Sequence, residues 1–169
     1  MASLRTVEPR WLTRDEERAW RAVRRLLIAL PARTARDLAD DSGLSAADYE
    51  VLSTLSEKTG HRWPLKDLAA KMEWSRSRLS HHTARMQQRG LIDREPDPAD
   101  ARGCILHLAT SGLRALEAAV PGHVASVRAR FLDHLTPDEL ATLERICTRI
   151  ADLPGPRSAP KAPGGEESR

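Results

Sequence analysis

Residues 74–90, WSRSRLSHHTARMQQRG, combine four arginines and two histidines with no carboxylate. The whole chain is nearly balanced in charge, with 27 Lys and Arg against 24 Asp and Glu. Guanidinium groups bind phosphate and guanine through paired N–H donors, and Ser or His can bond to base edges or phosphates. An acid-free, arginine-rich segment of helix length therefore indicates a polyanionic partner. A plain solvated basic helix is the alternative.

A short helix and a tight turn precede this segment. In residues 65–72 the apolar side chains recur at helical spacing, and Glu73-Trp74-Ser75 is typical of a three-residue turn. Ser75 suits the N-cap of the helix that follows, because its hydroxyl can accept a free backbone N–H. Two short helices joined by such a turn form a helix-turn-helix.

The second of these helices should turn one side to the core and the other to solvent. Leu79, Thr83 and Met86 are predicted to point inward, and Gly90 is predicted to end the helix. A free helix N-terminus adds affinity for phosphate. The residues predicted to point outward are Arg76, Ser77, Ser80, His81, Ala84 and Arg85.

After Gly90 the apolar period changes to that of strands. Residues 91–95 and 104–108 are predicted to pair as a hairpin, with a polar turn over residues 96–103 between them. A hairpin that follows a helix-turn-helix makes a wing. Near its tip Arg102 is expected to reach an adjacent minor groove. Asp100 is expected to hold Arg102 by a salt bridge or to pin the wing backbone.

Amphipathic helices flank this module on both sides. Capping boxes predict helix starts after Thr13 and Thr136, and Ser45 with Asp48 predicts a further helix start. The predicted divisions are N-terminal helices in 1–62, the DNA-binding module in 63–110, C-terminal helices in 111–153, and a Pro- and Gly-rich disordered tail in 154–169. The two helical ends are expected to pack together, within one subunit or across two. Their wide apolar faces favour a dimer.

Composition excludes several other classes. No apolar run reaches the length of a membrane span, and the N-terminus lacks a signal-peptide core, so we expect a cytoplasmic protein with no membrane partner. No catalytic constellation or glycine-rich phosphate loop is visible, and the histidines lack metal-ligand spacing. We expect no enzyme activity, no cofactor and no metal. Cys104 and Cys147 are predicted to be buried and inert.

Three motifs together resemble the MarR family of bacterial transcription regulators. They are GLI-x-R after the acid-free helix, D-P-x-D-x-R in the wing and S-G-L at the start of the next helix. The resemblance covers about residues 12–152, and DPADARG is its most specific piece. The chain departs from the family at Ala101, where many members carry arginine, so the wing tip has one positive charge fewer.

The resemblance implies a fold, an assembly and a set of contacts. The fold is mainly α: a winged helix-turn-helix with a short β-hairpin wing, plus a helical dimerisation lobe built from the N- and C-terminal helices. The homodimer would place its recognition helices in successive major grooves of a pseudo-palindrome in double-stranded DNA. The implied DNA-binding residues are Ser75, Arg76, Ser77, Arg78, Ser80, His81, His82 and Arg85 in the helix, with Asp100 and Arg102 in the wing.

Members of the family often release DNA when a small phenolic or lipophilic acid binds. An effector site needs an aromatic wall and a few polar groups. Trp20, Tyr49, His61 and Trp63 could supply both, although tryptophans at helical spacing are more often core residues.

We therefore expect a sequence-specific DNA-binding regulator that acts as a ligand-relieved repressor. A sequence-tolerant architectural DNA-binding protein is the alternative. A protein–protein adaptor is a further possibility that the acid-free helix disfavours.

Overall fold

A computed structural model of the chain describes residues 9–153, apart from the side chains of residues 101 and 102. The described elements are α1 (Arg14–Ser42), α2 (Ala46–Ser56), β1 (Arg62–Pro64), α3 (Leu65–Lys71), α4 (Arg76–Gln88), β2 (Ile92–Asp97), β3 (Asp100–Leu108), α5 (Thr110–Arg130), a 3-10 turn (Leu132–His134) and α6 (Pro137–Ala151). They form two compact units, one up to Phe131 and one from Leu132. The predicted tail, 154–169, lies outside the described residues.

All three predicted helix starts are present, and each is a capping box. In each box the cap hydroxyl accepts the backbone N–H of the acid three residues later, and the carboxylate of that acid accepts the backbone N–H of the cap residue. The cap residues are Thr13, Ser45 and Thr136. This exchange satisfies backbone donors that the first helical turn would otherwise leave free. Pro31 lies within α1, which continues without interruption to Ser42.

The core of the first unit is built mainly from α2, α3, α4 and the sheet. Leu52, Leu68, Leu79 and Met86 are fully buried within it, and each such side chain contributes about 1.5–3 kcal/mol through burial. Thr83, the third inward position predicted for α4, is buried as well and donates its hydroxyl to the Leu79 carbonyl at 2.8 Å. The predicted inward face of the second helix is confirmed.

The sheet has three antiparallel strands in the order β1-β3-β2, one more than the predicted hairpin. In the added strand, Arg62 pairs with His107 and Pro64 with Ile105. A three-residue strand is too short to show a period of two, so sequence patterning missed it. The turn between β2 and β3 is also shorter than predicted, since only residues 98–99 separate the two strands.

Two contacts fix α5 against the rest of this unit. At its start, Gly112 lies so close to the Leu91 carbonyl that a Cβ there would stand 1.9 Å from the oxygen. Further along, Arg130 binds Asp37 of α1 with Nη2 and Oδ1 2.6 Å apart. Hydrogen bonds from Arg130 and Ser126 lower the pKa of Asp37 to about 2. The helix that follows the wing is therefore anchored both to the turn after α4 and to α1.

Within the described residues, no helix is long and apolar enough to span a bilayer.

Candidate nucleic-acid interface

The start of α4 carries the chemistry that the sequence predicted. The Ser75 hydroxyl accepts the Arg78 backbone N–H at 3.2 Å, which confirms Ser75 as the N-cap. No acidic residue lies in the first turn. Ser75, Arg76, Ser77 and Arg78 are all exposed. The positive end of the helix dipole and two guanidinium groups therefore face solvent together.

Further along α4, the exposed side continues through His81 and Arg85. Ser80 is half-buried, because the Arg94 guanidinium from β2 lies over it. Arg94 donates to the Ser80 carbonyl at 3.3 Å and approaches the Ser80 hydroxyl at 3.5 Å. Ser80 is thus partly occupied by a contact within the protein.

Arg78 is stacked on an aromatic ring. Its guanidinium carbon lies 3.6 Å from the centroid of the Trp74 ring. A stacked guanidinium keeps its N–H donors in its own plane, free for phosphate or guanine, and the ring restricts its rotamers. The turn of the helix-turn-helix therefore also orients one of the arginines of the exposed face.

His82 differs from the other recognition-helix residues implied by the family resemblance. Its side chain is only 12% exposed and lies against Asp48 of α2, with Nε2 and Oδ1 3.1 Å apart. The Trp74 ring meets it edge-on at 5.8 Å. Burial lowers the pKa of His82, and this effect is larger than the increase caused by the Asp48 charge. His82 is therefore a neutral imidazole whose Nε2 faces Asp48, while its Nδ1 lies 3.2 Å from the guanidinium of the exposed Arg85.

A cavity of about 500 Å³ separates this face from the wing. Lys66, Arg76 and Arg94 line it together with two acids of the wing, Asp97 and Asp100. The cationic side lies at the helices and β2, and the acidic side at the wing turn. Such a cleft suits a phosphate held by the cations at its helical side.

The wing turn is pinned by an acid that the sequence did not single out. Asp97 is buried, and its carboxylate accepts the Ala99 backbone N–H at 2.9 Å. Asp100, which the sequence predicts to pin the wing backbone or to bind Arg102, is half-buried at the start of β3. Arg102 belongs to β3, but its side chain lies outside the described part of the structure.

Sequence reasoning gave no interface role to Lys66, Trp74 or Arg94. Lys66 could have been noticed as a cation in the first turn of the helix before the turn. Trp74 stands four positions before Arg78, which allows contact across one helical turn. Arg94 gave no local signal, since its contact with Ser80 joins a strand to a helix 14 residues away.

The four effector candidates lie on or beside different elements. Trp20 is 53% exposed on α1, whereas the half-buried Tyr49 of α2 packs against His123 with ring centroids 4.4 Å apart and planes tilted by 40°. His61 and Trp63 are half-buried beside and within β1, and the Lys58 ammonium lies 4.9 Å above the Trp63 ring. None of the four candidates lines the cavity beside the wing or the shallow cleft between α1 and α5.

The two cysteines are less buried than predicted. Cys104 is half-buried and Cys147 is exposed. The Cys104 sulfur also has a cation nearby, with the Arg94 guanidinium 3.5 Å away. The expectation of two buried thiols was therefore wrong, because β3 faces the open cavity at Cys104. In the described residues, no cluster of three or more His, Cys, Asp or Glu could hold a metal ion.

Comparison with known proteins points to one family. The MarR family model matches residues 44–104, from the start of α2 to the middle of β3. The transcriptional regulator HosA of Escherichia coli O111:H- is 33% identical over 124 residues, which are 72% of this chain and 86% of that protein.

Two solved structures from Streptomyces coelicolor are similar over more of the chain. AbsC, a MarR family transcriptional regulator, has 39% identity and a TM-score of 0.79, covering 85% of this chain and 96% of that one. Sco3205, a MarR family regulator solved in complex with DNA, has 35% identity and a TM-score of 0.83, covering 90% of this chain and 96% of that one. Both similarities extend well beyond residues 44–104.

Proposed function

The chain belongs to the MarR family of transcriptional regulators, and from that premise we propose that it is a repressor which binds a pseudo-palindromic operator as a homodimer. Members of the family are transcription regulators, so the chain is a regulator and not an enzyme.

The observation that carries the proposal is the exposed, acid-free start of α4. Arg76 and Arg78 stand there beside a capped helix N-terminus, with no carboxylate in the first turn. A helix of this kind fits the major groove, where arginine bonds guanine O6 and N7 and the N-terminal dipole favours phosphate. The full proposed contact set is Ser75, Arg76, Ser77, Arg78, Ser80, His81 and Arg85, with Lys66 and Arg94 added as phosphate contacts.

The wing completes the interface in this proposal. Arg102, near the tip, would enter the minor groove beside the recognition helix. Asp97 and Asp100 would hold the turn instead of touching DNA, because a carboxylate near phosphate is repelled. With Ala101 in place of an arginine, the tip of the wing would depend on the single guanidinium of Arg102.

Assembly as a homodimer is supported by apolar surface on the terminal helices. On α1, Trp20, Val23 and Leu27 are 53%, 46% and 63% exposed, more apolar surface than a monomeric helix usually presents. On α6, Leu140 and Ile150 are 44% and 57% exposed. We propose that 1–62 and 111–153 supply the dimer contacts and 63–110 the DNA contacts. A twofold dimer would then read two half-sites related by symmetry.

As the family resemblance implies, a small aromatic or lipophilic effector would relieve this repression. Trp20, Tyr49, His61 and Trp63 remain the proposed effector-binding residues. Tyr49 and Trp63 are the better placed of the four, because each is half-buried with an aromatic or cationic neighbour.

Selection from random-sequence duplexes with the purified full-length chain tests the DNA-binding proposal. We expect recovery of a duplex with two inverted half-sites about one helical turn apart, bound by a dimer as measured by size exclusion with light scattering. Equal affinity for the recovered and scrambled duplexes at physiological salt would instead favour an architectural DNA-binding protein. A monomer that binds a single half-site would refute the dimer.

A further inference from the structure

Asp48 is a buried carboxylate that joins α2 to α4. Its side chain is 3% exposed. Oδ2 accepts the Ser45 backbone N–H at 3.1 Å and the Arg89 guanidinium at 2.7 Å, while Oδ1 faces His82. Burial raises the pKa of Asp48, but hydrogen bonds from Arg89 and Ser45 more than offset it, so the pKa is lowered overall. The group is a carboxylate at neutral pH.

Its two partners, one on α4 and one at the C-cap that follows it, are far enough apart to fix the orientation of that helix. His82 and Arg89 lie seven positions apart, close to two helical turns, and so project from nearly the same side. A rotation of α4 by about 20° would move side-chain ends, about 5–6 Å from the axis, by roughly 2 Å. Hydrogen bonds tolerate only about 0.5 Å of variation in length. The hydrogen bond from Arg89 to Asp48 and the close approach of His82 Nε2 to Asp48 Oδ1, 3.1 Å, therefore both oppose such a rotation.

The same network reaches the exposed face. His82 packs against the edge of the Trp74 ring, and Trp74 carries Arg78 on its face. A continuous path of contacts thus runs from the start of α2 to a guanidinium at the start of α4. No member of this path before Arg78 lies on the exposed side.

From this geometry we infer that Asp48 is a positioning residue for DNA recognition, which fixes the rotation of α4 through His82 and Arg89. The inference rests on the proposed DNA-binding function and deepens it. It assigns His82 to the protein side of the helix and not to a DNA contact. Loss of the Asp48 charge should therefore affect contacts that need exact placement more than contacts that need only positive charge. Base contacts are of the first kind and phosphate contacts of the second.

The test measures two affinities of the full-length protein: for the duplex recovered by selection and for a scrambled duplex of equal length. Asp48→Asn keeps the side-chain size and removes the charge. We expect its preference for the recovered duplex to fall at least fivefold, the effect of misplacing one good base contact. Glu50→Gln is the matched control, since it removes an exposed carboxylate from the same helix and should leave the preference unchanged.

A fold that was merely less stable would lose active protein for both duplexes equally, so the ratio separates positioning from stability. If Asp48→Asn does not fold, His82→Gln and Arg89→Gln carry the test, and each should lower the ratio. A ratio equal to that of Glu50→Gln in all foldable variants overturns the inference. A wild-type protein that prefers no duplex overturns the proposed function instead.

Discussion

Replacement of Trp74 by leucine tests whether the stacked ring prepares Arg78 for DNA. The guanidinium lies 3.6 Å from the ring centroid in the free protein. The stack can persist in the complex, so its own attraction of about 0.5–1 kcal/mol cancels in binding. The ring contributes to binding because it holds the Arg78 side chain in place before the DNA arrives. Immobilising a long side chain costs about 0.5–1.5 kcal/mol, so Trp74→Leu should weaken binding to the recovered duplex roughly 2- to 12-fold.

The assay is fluorescence polarisation of a labelled duplex, arranged as a double-mutant cycle with Arg78→Ala. In the Arg78→Ala background, Trp74→Leu should have little further effect, because there is no guanidinium left to order. Trp11→Leu is the control, since that ring is 82% exposed and lies before α1. An equal loss of affinity from Trp74→Leu in both backgrounds would refute the reasoning, and would show that the ring acts through another contact such as His82.

Three further outcomes are expected. A Gly→Ala substitution would stabilise an ordinary helix, but at Gly112 the new methyl group meets the Leu91 carbonyl. Gly112→Ala should therefore lower the free energy of unfolding, measured in denaturant melts, by about 1–3 kcal/mol. An unchanged midpoint would show that α5 can shift to make room for the methyl group. Burial holds the pKa of the His82 imidazole below its usual range, so stability should be full above about pH 6.5 and fall as the pH drops below it. His82→Gln should reduce that fall and His81→Gln, at an exposed position, should not; identical pH profiles would contradict this. Arg102→Ala should weaken DNA binding and flatten its salt dependence by about one phosphate contact, whereas unchanged binding at several salt concentrations would argue against a wing that touches DNA.

Much of the local structure followed from residues three or four positions apart. The caps at Thr13, Ser45 and Thr136 depend on a side chain and a backbone N–H in one helical turn. The inward side of α4 followed from the spacing of Leu79, Thr83 and Met86 in the same way. These contacts form within a short segment, so the residue types alone predicted them correctly.

The tertiary structure alone decided the features that join distant segments. The strand Arg62–Pro64 exists because β3 offers it an edge, not because its three residues favour a strand. His82 lies inward because packing brings it against the buried carboxylate of Asp48, 34 positions earlier in the sequence. The Arg94 guanidinium contacts Ser80 and Cys104 because the wing packs against α4. Spacing along the chain defines which helix face is basic, whereas packing between elements determines which of its side chains remain free to meet DNA.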